Sequence, residues 1–266
     1  MKTRIAAVLF AVAGSIWAQT PAFTGNAVVN AASDTTPLAP GSLATIFGSN
    51  LASGLASADT IPLSNSLGGV TVQFVQGNNT YPAPMLFTST GQVNLQIPSE
   101  LVPGGAPVMV TVTSNNNTST AQQITLGQLG PGVFASNGLA VAVNNADGSL
   151  AWAVGAVPGA TSHPVKAGDV LIIYATGLGA LDTPIADGQA PFYSDNKLRN
   201  TTTVPMVMVG GVQAQVIYSV LSPQFVGVDQ LAITVPSGVT PGNNVPLQIV
   251  EGGNTSPNTT GIAVSQ

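Results

Sequence analysis

The one histidine of this chain, His163, stands beside Ser162 and six residues before Asp169, the residue types of a nucleophile, its base and an orienting acid. Its setting, TSHPVKAGD, is a polar turn ahead of an apolar strand, so the histidine reads as an incidental loop residue rather than a catalytic base. One histidine and no cysteine cannot build a metal centre of the His/Cys type. The acids, eight Asp and two Glu, are scattered, whereas glycoside hydrolysis needs two carboxylates across a cleft. The only acid-rich stretch holds Asp182, Asp187 and Asp195 in the segment 180–203. With Thr183, Gln189 and Asn196 they offer oxygen ligands of the kind Ca²⁺ takes, at a spacing that matches no EF-hand loop. The plainer reading of the same residues is a loop kept soluble by its charges. GLGA after Tyr174 follows a strand but opens no helix, which removes the dinucleotide reading. The expectation is a chain without catalytic residues, cofactor or metal.

Aromatic side chains are the remaining means of binding. Phe192 and Tyr193 fall in the polar segment and Tyr81 in a Gly/Asn-rich turn, while Trp152 is the one tryptophan after the N-terminal stretch. Exposed, such rings stack on sugars or anchor a protein partner. Phe192, Tyr193, Trp152 and Tyr81 are therefore the candidate contact residues. Phe47, Phe74 and Tyr174 lie in strand-like runs and are expected in the core.

Those side chains must be carried by strands. Val70, Val72 and Phe74 alternate with polar residues, as do Val93, Leu95 and Ile97, and Val108, Val110 and Val112. Leu231, Ile233 and Val235 repeat the pattern, and so do Val245, Leu247 and Ile249. Alternation at period two gives a strand one buried and one wet face. Val170 to Tyr174 is apolar throughout, as in a strand covered on both faces. Pro98 and Pro236 should end strands, since proline cannot donate to a ladder. Pro103-Gly104 and Pro241-Gly242 suit tight turns, and Asp147-Gly148 between apolar runs marks a hairpin. No amphipathic helix is evident, so the fold class is all-β.

The chain also says nearly the same thing twice. PGSLATIFGSNLA at 40–52 returns as AGDVLIIYATGLGA at 167–180, and QVNLQIPSELVPG at 92–104 returns as QLAITVPSGVTPG at 230–242. The second copy is longer in its middle by 11 residues. Blocks repeated in order at so long a period mean tandem domains. The expected division is 1–18, 19–127 and 128–266, with an insertion at about 180–203 in the second copy. QLGPGVFA at 128–135 reads as a short linker, and each copy is expected to fold alone when cut near Gly130. The insertion is the first choice of contact surface, and its loss is expected to leave stability intact.

Composition excludes whole classes. Lys2 and Arg4, the apolar run Ile5 to Trp17 and the small residue Ala18 read as a secretory signal peptide, too short to span a membrane. Cleavage there would remove two cations and take the formal charge from −5 to −7. Only Lys166, Lys197 and Arg199 would remain, too few for a nucleic-acid footprint and unfavourable for an anionic membrane surface. With no cysteine, no disulfide supports an exported fold. The expected location is extracellular or periplasmic, with no membrane insertion after cleavage.

The same segments resemble a known family. VVNAAS at 28–33, APGSLATIFGSNL at 39–51, GQVNLQIP at 91–98 and PGVF at 131–134 are similar to the Solibacter-type uncharacterised C-terminal domain family. NNADGSL at 144–150, AGDVLIIYATGLG at 167–179 and FVGVDQLAITVPSGVTPGNNVPL at 225–247 continue the likeness over nearly the whole chain after residue 18. The resemblance implies secreted bacterial proteins with immunoglobulin-like sandwiches of the IPT/TIG type, here two in tandem. It brings no activity and no catalytic residues. Family members usually end longer proteins, so this chain is expected to be a freestanding copy. The function expected is a non-catalytic interaction or adhesion module with a protein or cell-surface glycan partner. A carbohydrate-binding module using loop aromatics is the alternative, and a hydrolase a more distant one.

Overall fold

The computed structural model describes residues 19–257 and 260–266, so the signal-peptide segment lies outside the described residues. Among them the fold is all-β with antiparallel sheets; its helices are one 3-10 turn, Gly25–Ala27, and one α-helical turn, Pro191–Ser194.

In the N-terminal half, Val70–Gln76 pairs along its whole length with Val108–Ser114, Val72 opposite Val112 and Phe74 opposite Val110. Gln122–Ile124 and Asn79–Pro82 flank that pair. A second sheet runs in the order Val28–Asn30, Leu43–Phe47, Gln92–Gln96, Met85–Thr88, Ala56–Ser57. The inward residues of both sheets, among them Ala44, Ile46, Leu95, Phe74 and Val110, form one buried cluster. Phe47 is not in it. Because Ala44 and Ile46 point inward, period two turns Leu43, Thr45 and Phe47 to the other face, where Phe47 is 41% exposed. The Pro103-Gly104 turn has Gly104 at φ 75°, and the buried Gln76 amide ties it down, donating to Val102 O and Ala106 O and accepting from Val102 N.

The C-terminal half is a single folded sheet around its own cluster, which includes Leu171, Ile173, Leu231, Ile233, Leu247 and Ile249. Val212–Leu221 turns the corner: Val212 to Ala214 pair with Met206–Val209, and Gln215 to Leu221, across a bulge at 216–218, pair with Asp229–Thr234. Val170–Thr176 lies between Asp229–Thr234 and Ala142–Asn144. It buries Leu171, Ile173 and Ala175, while Val170, Ile172 and Tyr174 are only half-covered. Its continuous apolar run therefore reflects one full and one partial cover, and Tyr174 spends its outer face on Phe225, edge to face at 6.2 Å.

Strands end before Pro98 and Pro236. The second Pro-Gly turn is displaced: the positive φ belongs to Gly238 (86°), and Gly242 opens the strand Gly242–Glu251. At Asp147-Gly148 a turn forms, Asn144 N donating to Ser149 O, but the hairpin stops at the Val143–Leu150 bridge. Beyond it the chain bends away so that Trp152 can enter the core.

The segment 128–135 is not a slack linker. Gly130 N donates to Gly177 O at 2.9 Å, and Asn30 Nδ2 donates to Gly130 O at 2.8 Å. A Cβ on Gly130 would overlap Pro37 O, and one on Gly177 would overlap Gly130 O. Nearby, Leu43 N donates to Thr176 Oγ1, which donates to Gly227 O. The insertion is equally engaged. Gly188, Ala190, Pro191, Arg199 and Thr201 are buried, and residues 187–188 bond to the N-terminal half. Its charges suggest a dispensable loop, but its glycine, alanine and backbone groups fasten it to both halves, so deleting it should destabilise the fold.

Ile249 and Val110 are each fully buried, in different clusters. Ile249→Ala should cost about 3 kcal/mol through the cavity it leaves. Urea denaturation measures it, and a loss under about 1 kcal/mol would contradict the packing described.

Candidate functional site

A groove of about 430 Å³ runs between the halves. Leu43 and Leu86, on the outer face of the N-terminal sheet, lie along it, with Asp59 to Ile61 and Leu63 on one side. The stretch follows the edge strand Ala56–Ser57, whose one ladder partner is Met85–Thr88. The opposite side is Tyr193 with residues 224–226 and Val228.

Tyr193 is placed by the short helix. Pro191 begins that turn with its φ already set, and Phe192 N donates to Pro223 O at 2.8 Å, docking the turn on the loop that carries Phe225. Tyr193 and Phe192 are each 55% exposed, and Phe225 51%. The Phe192 and Tyr193 rings meet edge to face, centroids 5.1 Å apart at 84°. The exposed rings thus stand over an apolar floor, beside a strand edge.

The other sequence candidates stand elsewhere. Trp152 is buried at 4% exposure, and its Nε1 donates to Ala140 O at 2.6 Å, so it cannot stack on a ligand. Tyr81 is a strand residue opposite Phe74, packed against the N-terminal cluster rather than held on an exposed turn. The structure joins Phe192 and Tyr193 and separates both from Trp152.

The three acids of the insertion are held apart by their own donors. Asp182 accepts from Asn200 N and Nδ2, and Asp195 pairs with Arg199 at 2.9 Å; these bonds hold both carboxyls below the ordinary carboxylate value. Asp187 accepts from Ser99 N in the other half. Among the described residues no group of three or more His, Cys, Asp or Glu could hold a metal ion.

His163 faces Asp147, not Asp169. Its Nε2 is 2.8 Å from Asp147 Oδ2 and its Nδ1 is 2.9 Å from Pro164 O. Both neighbours accept, so both ring nitrogens favour a proton and the imidazole pKa is raised, chiefly by the Pro164 carbonyl. The same contact holds Asp147 well below the carboxylate range. Ser162 Oγ donates to Ala153 O, and Asp169 accepts from Lys166 N. No nucleophile–base–acid relay forms from these three residues.

Two buried acids escaped sequence reasoning. Asp229 shares the inward face of its strand with Leu231 and Ile233, and Glu251 shares that of Leu247 and Ile249. Period two, followed through the charged residue, would have found both. Burial pushes the Asp229 carboxyl up to about 7, with a further push from Glu251, against N–H bonds from Leu178 and Gly177. Glu251 is also raised by burial, while the Thr203 hydroxyl donates to its Oε1. Asp229 thereby holds the Gly177–Leu178 turn on which Gly130 rests.

No family model matches this chain, and no curated protein matches it. Solved structures similar to it include a titin A168169 fragment, at 10% identity over 93% of this chain and all of that one, with a TM-score of 0.23. A chimeric titin Z1Z2 is similar at 11% identity over 94% of this chain and all of its own length, with a TM-score of 0.22. Likeness of that degree assigns no function.

Proposed function

We propose that this protein is a secreted, non-catalytic interaction module of two tandem immunoglobulin-type sandwiches, which holds a protein partner in the groove between them. The observation that carries the reading is the groove itself, where Tyr193 and Phe225 stand exposed across from the Asp59–Ile61 edge. Half-exposed aromatic anchors flanking an apolar floor are the usual source of binding energy at protein interfaces. The duplication and the period-two strands support the tandem arrangement, and the N-terminal segment supports export. A non-catalytic role agrees with His163, Ser162 and Asp169 being spent on separate local bonds. The sugar-binding alternative is weaker without Trp152, because the crossed rings of Phe192 and Tyr193 do not make a flat platform.

The test selects ligands from a displayed peptide library and screens the same protein on a glycan array. Tyr193→Ala should weaken the selected peptides by 10-fold or more while the melting temperature stays within a degree or two, since the ring lies outside both core clusters. Peptides that bind Tyr193→Ala and Phe225→Ala as tightly as the parent would overturn the groove assignment. Glycan hits lost in the same variants would favour the sugar reading instead.

A further inference from the structure

One edge of the N-terminal sheet is open, and it leads into a wall of the groove. At the other edge of that sheet Val28–Asn30 is buried throughout, and Asn30 is bonded to Thr35 and Gly130. The open edge is Ala56–Ser57. Its antiparallel register sets Ala56 against Thr88 and Ser57 against Phe87, and Ala58 N donates to Leu86 O at 2.9 Å. Bonded and non-bonded pairs alternate along an antiparallel ladder. Ala58 therefore spends its N–H on Leu86, while Ser57, one residue back, turns its N–H and C=O away from the sheet. Leu55 and Asp59 share the phase of Ser57, and among the described residues neither N–H donates to a backbone carbonyl. Leu55 is 80% exposed, and Ser57 and Asp59 are exposed as well, so these groups face solvent.

We propose that this edge takes up an extended segment of the partner protein as an added strand, which turns alternate side chains toward Tyr193 and Phe225 and carries lysine or arginine against Asp59. For the side chains in the groove this rests on the binding reading above; the free backbone groups of the edge stand apart from it. In strand addition, main-chain hydrogen bonds supply affinity and pockets for alternate side chains supply selectivity. The edge runs on into residues 59–61, which line the groove together with Ala58 and Leu86. A strand paired to Ser57 thus passes beside the apolar floor, with Tyr193 and Phe225 on the far side. The charge of the segment follows from the wall. Asp59 is the one charged residue lining the groove, and the chain as a whole carries ten acids against five bases. A second copy of this chain would bring like charge to the same wall, so the occupant is a cationic segment of another protein. An edge strand of two residues is short enough to discourage indiscriminate pairing, which leaves selection to the groove.

The probes are the peptides selected from the displayed library, with the full protein as target. Ser57→Pro removes the outward N–H and sets a ring on the edge without breaking a bond inside the sheet. It should leave the melting temperature within a degree or two and weaken the peptides by about 10-fold or more. On the parent protein, methylating the peptide amides one at a time should weaken binding by about 10-fold at every second residue and little at those between. That alternation reads the added strand even if Ser57→Pro folds poorly. Asp59→Asn should weaken binding about 3-fold and lessen its dependence on salt. Peptides that bind folded Ser57→Pro as tightly as the parent, or a methyl scan without alternation, would overturn the added strand and leave the groove standing. Affinity kept by Tyr193→Ala and Phe225→Ala but lost in Ser57→Pro would keep the strand and remove the groove contacts. Dimers of the free protein that Ser57→Pro dissolves, seen by light scattering, would put a second copy on the edge and sink the assignment of the occupant. A library that yields no binder rejects both readings.

Discussion

Gly177→Ala is expected to cost about 4 kcal/mol and to destabilise both halves together. Two costs add. Gly177 sits at φ 90°, where a side chain brings about 1–3 kcal/mol of strain, and its Cβ would overlap the carbonyl oxygen of Gly130, a backbone atom that cannot rotate away. Gly130 is also the acceptor for Asn30, so moving it disturbs the contact with the N-terminal half. Gly168 is the control. It has the same φ of 90° and nothing within 4 Å of its would-be Cβ, so Gly168→Ala carries strain alone, about 1–2 kcal/mol. Urea denaturation of both variants, followed by a probe in each half, separates the effects. Equal losses in the two variants would show that the joint does not hold the halves together.

Stability should fall as pH rises from about 4 to about 7, and Asp229→Asn should flatten most of that fall. The Asp229 carboxyl titrates near 7 when folded against 3.8 ordinarily. Between those values the native state holds a proton that the unfolded chain has released, so the stabilisation is full below about pH 4 and gone above about pH 7. The whole shift corresponds to at most about 4 kcal/mol at about 1.4 kcal/mol per unit. Asparagine keeps an oxygen to accept from Leu178 N and cannot ionise, so the variant should be the more stable protein at pH 8. Asp187 contributes the same sign below pH 6, which is why the variant and parent are compared at each pH. Asp147, Asp182 and Asp195, held below their ordinary values, act in the opposite direction and mainly below pH 4. Identical slopes in Asp229→Asn and the parent would show that Asp229 is already ionised in the fold.

The strands were legible because each reports its own burial: Val70, Val72 and Phe74 alternate, and the structure places all three at 0% exposure. Phe47 was misread because an apolar residue in a strand says nothing of which face it occupies; Ala44 and Ile46, smaller but in phase with each other, decide it. Trp152 was misread because a tryptophan in a loop can still send its ring inward when a carbonyl, here Ala140 O, waits for its N–H. The groove had no local signal at all. Asp59 to Ile61 and Phe225 are far apart in the chain and meet only because the joint and the insertion set the halves against each other. The contacts that do so run through backbone atoms of Gly130, Gly177 and Gly188, which have no side chain to announce them.

Where a slack peptide joins two halves of a chain, relative motion of the halves is the default. Here the peptide is Gly130, bonded on one side to Gly177 and on the other to Asn30, with Pro37 in contact. Such a joint transmits torque. A pull on either half reaches the other as rotation of a stiff lever, so load applied through the chain ends would strain the groove directly instead of first drawing out slack.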